Sequence, residues 1–170
     1  QAALLTTDPL PLIVMTPKSL LRHPFSASTP RELAEGLWEP VLDDPERRRD
    51  PARVKQVLLC SGKFAVDLFT SDLRTKRTDT AIVRLEQIYR FPQDLLVTVL
   101  RGYPNLEVIR WVQEEPENMG ALTFVRDYLA GLGYRVEFVS RERNSSPAEG
   151  STALHQANQT ALVRDAFGEE

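Results

Sequence analysis

Four apolar runs of strand length punctuate the chain: Leu12–Met15, Val54–Cys60, Thr80–Leu85 and Glu107–Val112. The first, bounded by Pro9, Pro11 and Pro17, is too short for a helix. A fifth segment, Tyr134–Val139, alternates polar and apolar residues in the manner of a half-exposed edge strand. Helical spacing of apolar residues follows most of these runs, over Phe64–Leu73, Gln93–Leu100, Ala121–Ala130 and an amphipathic Ala153–Phe167. Two shorter helices are expected near the start. Thr16 with Pro17 opens Lys18–Arg22, and Thr29-Pro30 with Glu32 forms a capping box for a helix reaching about Gly36, packed down by Trp38 and Val41-Leu42. Strands alternating with helices predict an α/β fold: a three-layer α/β/α arrangement on a mostly parallel, five-stranded sheet.

Composition narrows the function classes. At 42% hydrophobic the chain can bury a core, and its length suits one domain, taken as residues 11–170 after a linker at 1–10. The net charge of −3 is spread in mixed sign, which argues against a nucleic-acid partner. No apolar run reaches the length of a membrane span. The single cysteine, Cys60, excludes an intrachain disulfide and suits a reducing compartment. The start lacks both a methionine and a basic n-region, so it reads as the cut end of a longer polypeptide rather than a signal peptide. Dinucleotide-binding and P-loop glycine patterns, HExxH, GxSxG and Cys/His clusters are absent, so no zinc site is suggested.

Candidate chemistry gathers where strands meet helices, the usual place for ligands in open α/β sheets. Ser61-Gly62-Lys63 follows a strand and opens a helix, an arrangement able to face an anion or simply to cap the helix ahead of a solvated lysine. Lys18, after the first apolar run, would lie near the same sheet edge. Arg84, Glu86 and Gln87 close the third run, and Glu114 and Glu115 the fourth. Adjacent carboxylates on a strand point to opposite sides, so Glu114 and Glu115 suit capping or interface pairing better than acid–base work. Asn118 and Gly120 open the next helix. The charged Asp43–Arg53 segment, with Arg47-Arg48-Arg49, is either an anion patch or a solvated, self-compensating loop. His23 and His155 stand alone in polar settings, and Cys60 reads as a buried thiol.

Four segments in order resemble the C-terminal domain of the E1 component of 2-oxoglutarate dehydrogenase: Leu12–Pro24, Val57–Lys63, Ala81–Gln87 and Trp111–Gly120. The resemblance runs from about Pro11 to Phe167. The first and last segments separate this family from pyruvate dehydrogenase and transketolase, whose C-terminal domains share the fold. It implies a homodimeric parent enzyme of the citric acid cycle that uses thiamine diphosphate and Mg2+, bound outside this segment. That enzyme decarboxylates 2-oxoglutarate and passes succinyl to the lipoyl group of the E2 succinyltransferase, in a complex with E3. It implies a segment with no catalytic residue and no metal site, inactive alone and braced against the upstream domains and a second E1 subunit. Its place would be the cytoplasm of a bacterium, the favoured case, or the mitochondrial matrix of a eukaryote. In some members this domain binds acetyl-CoA or AMP, and Lys18, Ser61, Lys63 and Arg84 carry over as phosphate contacts. Glu86, Gln87, Glu114, Glu115 and Asn118 are left as interface or capping residues. The chain departs from the family at Ser140–Pro147, where Arg141 survives but Glu142 replaces a proline.

Overall fold

Val57, Leu58, Leu59 and Cys60 are all fully buried, which requires a strand covered on both faces. They form β2 (Gln56–Cys60), the centre of a five-stranded sheet completed by β1 (Val41–Leu42), β3 (Thr80–Leu85), β4 (Val108–Pro116) and β5 (Arg135–Arg141). The computed structural model describes Pro11 and residues 13–169. The strand order is β1-β3-β2-β4-β5, parallel throughout except for β1, which pairs antiparallel with β3. In register, Cys60 faces Arg84 on β3, and Leu59 faces Trp111 on β4.

The period-2 alternation of β2 sorts its side chains between two cores. Val57 and Leu59 join Ile109 and Trp111 beneath α4 (Gln93–Arg101) and α5 (Leu122–Ala130). Leu58 and Cys60 join Ile82 and Val112 beneath α2 (Phe64–Thr70) and α6 (Thr152–Phe167). The chain leaves β2 toward β3 with its helix on one face. It then crosses back to β4 and on to β5 with its helices on the other, as right-handed crossovers require. The direction changes between β2 and β4, so their carboxyl ends form the switch-point crevice of this sheet.

The chain's contacts divide between Gly36 and Leu37. The first unit contains 3-10 turns at Lys18–Leu20 and Pro24–Ser26 and the helix α1 (Pro30–Glu35). α1 has the expected capping box: Thr29 Oγ1 accepts from the Glu32 N–H, and Glu32 accepts from the Thr29 N–H. The strand expected at Leu12–Met15 is not formed at Ile13–Met15, and Leu12 lies outside the described residues, as do the linker residues 1–10. The fifth strand is β1 instead. A run of three or four apolar residues does not fix a strand; a partner must offer backbone hydrogen bonds, and β3 offers them to Val41–Leu42.

Three boundaries also move. Helix Phe64–Leu73 ends at Thr70, and a separate short helix, α3 (Leu73–Lys76), follows it. β4 runs on through Glu114 and Glu115 to Pro116. It does so by a bulge, advancing from Val112 to Pro116 while β5 advances only from Val139 to Arg141. α6 is not amphipathic along its length: its buried residues, Leu162, Ala166 and Phe167, all lie in its second half.

Candidate functional site

At the switch-point crevice the elbow after β2 turns at Gly62, whose φ of +61° is the left-handed conformation glycine adopts without strain. Lys63 follows as the N-cap residue of α2, with no side-chain cap bond. Its ammonium is paired with carboxylates while staying partly accessible. Nζ lies 2.5 Å from Asp67 Oδ2, one helical turn on, and 3.9 Å from Glu114 Oε2 on β4. Gln159 of α6 donates through Nε2 to the same two carboxylates, at 2.8 Å and 3.1 Å.

The amide of Gln159 links this group to a second one. Its Oε1 accepts from Arg141 at 2.7 Å. Arg141 is salt-bridged to Glu149 at 2.7 Å, and Glu149 also accepts from Asn158 at 2.9 Å and meets His155 Nδ1 at 3.1 Å. Glu149's carboxyl is held down at about 2, chiefly by the Asn158 hydrogen bond against the opposing effect of burial, with His155 and Arg141 adding to it. A cleft of about 660 Å³ opens beside Arg141, between the β5–α6 loop and the first half of α6.

The elbow after β4 is organised by Gln113, which sequence reasoning passed over. Its side chain is buried and makes five bonds. Oε1 accepts from Trp111 Nε1 at 3.0 Å and from the Leu122 N–H at 2.9 Å. Nε2 donates to the carbonyls of Glu115, Pro116 and Met119. Gln113 therefore satisfies the first N–H of α5. Gly120, at φ +66°, has to be glycine: a Cβ there would stand 3.0 Å from the Gln113 amide. The only hint in the sequence was a glutamine at the end of an apolar strand.

Several expectations need correcting. Glu114, Glu115 and Asn118 do not cap α5, whose N-cap is Ala121 with no side-chain bond. Glu114 turns to Lys63 and Gln159, and Glu115 is exposed. Asn118 exchanges two hydrogen bonds with the backbone of Asn144, pinning the loop after β5. Glu86 and Gln87 do not cap α4, whose N-cap is Pro92. Glu86 pairs with Arg84 at 3.4 Å, and Gln87 accepts from the Trp38 indole at 3.3 Å. Ser61 and Lys63 follow the end of β2, and Arg84 lies opposite Cys60 on β3; Lys63 and Arg84 are each paired with carboxylates. Lys18 sits on a 3-10 turn of the first unit, after residues 13–15, which form no strand.

The charged segment Asp43–Arg53 is self-compensating and largely exposed, but it hangs on one buried residue. Asp44 is fully buried and takes both terminal nitrogens of Arg74, at 2.8 and 2.9 Å, along with the N–H groups of Ile82, Glu46 and Arg47. Burial alone would raise its carboxyl. The Arg74 guanidinium and these N–H groups outweigh it and hold the group below the usual range. Arg47 donates to the carbonyls of Thr80 and Arg74, so this run is a knot tying the first turn after β1 to β3 and α3. Cys60 is buried, and burial pushes its thiol up to about 12, an inert state for a nucleophile. His23 Nδ1 accepts from the Phe25 N–H and caps a 3-10 turn.

The donor set does not fit a metal-bound diphosphate. Among the described residues no group of three His, Cys, Asp or Glu side chains is placed to hold a metal ion. Each carboxylate of the crevice except the exposed Glu115 is engaged by a cation or an amide. No helix among the described residues is long and apolar enough to cross a membrane.

Residues 27–167 match the family model for the 2-oxoglutarate dehydrogenase C-terminal region. Over 98% of its length the chain is 40% identical to a 2-oxoglutarate dehydrogenase E1 component of Geobacillus kaustophilus. Over 92% it is 40% identical to that of Shouchella clausii and 41% identical to that of Cupriavidus necator. It spans only 17–18% of the length of these relatives.

Proposed function

The chain belongs to the 2-oxoglutarate dehydrogenase C-terminal family, and from that premise we propose that it is the non-catalytic, bracing domain of an E1 enzyme. The parent would decarboxylate 2-oxoglutarate with thiamine diphosphate and Mg2+ held on its other domains, then transfer succinyl to the lipoyl group of E2 beside E3. The observation that carries this reading is identity of 40% maintained across 98% of the chain. It agrees with a crevice whose ionic groups are spent on one another and offer no free base or nucleophile. Bacterial relatives favour a cytoplasmic setting.

The bracing role, against upstream domains and a second E1 subunit, is supported by an exposed aromatic patch over α4 and α5. Tyr89, Leu95, Phe124 and Tyr128 keep a third or more of their surface in water, and contiguous apolar exposure of this kind marks interfaces. Assay of the full polypeptide with thiamine diphosphate and Mg2+ tests the whole assignment. Turnover of 2-oxoglutarate is expected, with none from residues 1–170 alone; a parent that accepts only another 2-oxo acid would refute it.

A second reading is an effector site for acetyl-CoA or AMP at the crevice. What favours it is the placement of Ser61, Lys63 and Arg84 at a switch point. Such a ligand must first displace Asp67 and Glu114 from Lys63. Calorimetric titration of the full polypeptide with each compound tests this. Binding lost in Lys63→Ala supports it, and no heat at a sensitivity of about 100 μM, near −5.5 kcal/mol, removes it.

A further inference from the structure

α6 is held in two different ways along its length. In its second half Leu162, Ala166 and Phe167 are buried in the core. There the Ala166 carbonyl accepts from Arg110 and Gln56, and the Phe167 carbonyl from Arg77. In its first half, from Thr152 to Ala161, no residue is buried, and Leu154, its one large aliphatic side chain, is 53% exposed. That half is attached to the sheet side by three polar side chains. His155 and Asn158 reach Glu149, and Gln159 reaches Arg141, Asp67 and Glu114. Water can replace each of those bonds at little net cost, but it cannot replace the burial of Phe167. The cleft beside Arg141 runs along this half, lined there by Leu154, Asn158 and Ala161.

We propose that the first half of α6 is a latch, closed by Gln159 and Glu149, which opens by unwinding up to Leu162 while the end of the helix stays docked. One amide, that of Gln159, touches both ionic groups of the crevice, so opening acts on both together. It exposes Arg141, whose side chain is 14% accessible when closed, and it removes the donor that steadies Asp67 and Glu114 around Lys63. The latch stands on this geometry; its use as a gate to an effector edge rests on the second reading above.

Hydrogen exchange of the full polypeptide without ligand tests the latch separately from that reading. Amides of residues 156–161 are expected to exchange about tenfold or more faster than those of 166–167. Gln159→Leu and Glu149→Gln should each raise exchange across 156–161 by about a further tenfold, leave 166–167 unchanged as proof of folding, and speed modification of Arg141 by phenylglyoxal. The proposal is overturned if both variants leave residues 156–161 at the wild-type rate. It is equally overturned if the rise extends evenly to Phe167, or if Arg141 keeps its wild-type reactivity when the segment opens.

Discussion

The chain contains two ionic networks of similar composition and opposite surroundings. Around Asp44, its carboxylate, the Arg74 guanidinium and several backbone N–H groups are sealed against β3, with the exposed Glu46 carboxylate at the rim. Around Gln159, a lysine, an arginine and three carboxylates line an open crevice, with side chains that remain partly accessible. Removing one partner from the first network leaves a charge that water cannot reach. Removing one from the second lets water in. Burial, not the number of ion pairs, decides which network holds the fold and which is free to rearrange.

The largest effect is expected from Arg74→Ala, which leaves Asp44 buried without its cation. Urea unfolding should show a loss of about 3–5 kcal/mol. The same pair sets a pH dependence. Asp44's carboxyl is lowered in the fold, so its contribution is complete above the ordinary aspartate value of about 3.9 and lost as pH falls through the folded value. The stability gap between the native chain and Asp44→Asn should therefore be constant from neutral pH down to about that value and close below it. A gap that persists in stronger acid would break the account of Asp44 as a paired carboxylate.

Gln113→Leu tests a neutral case between the two extremes. It removes five hydrogen bonds from a buried site and orphans the Leu122 N–H, with an expected cost of about 1–3 kcal/mol in the same measurement. The smallest effect is expected from Lys63→Met. Its ammonium pairs are partly accessible, so stability should change by no more than about 1 kcal/mol. A loss as large as that of Arg74→Ala would erase the contrast between the networks and make the crevice a structural element.

Much of the sheet was legible in the sequence because each fully buried strand is a continuous apolar run bounded by polar residues. Thr80–Leu85 has the expected limits, and Val57 to Cys60 lie where the pattern put them. Leu12–Met15 misled because so short a run carries no information about a partner, and Val41–Leu42 was missed because two residues make no pattern. In the crevice, Lys63 was found from its strand-to-helix setting, but its partners were not. Asp67 is one turn away, while Glu114, Gln159 and Arg141 come from three other elements.

By itself the sequence determined the layered α/β architecture and the family, since both rest on local signals: apolar period, capping residues and four ordered motifs. Tertiary structure alone decided what the charged residues do. A carboxylate's role depends on which cation lies within about 4 Å and on whether water can reach it. Crossovers that bring Asp44 to Arg74, and Glu114 to Lys63 and Gln159, set both conditions, and no local stretch of sequence encodes either.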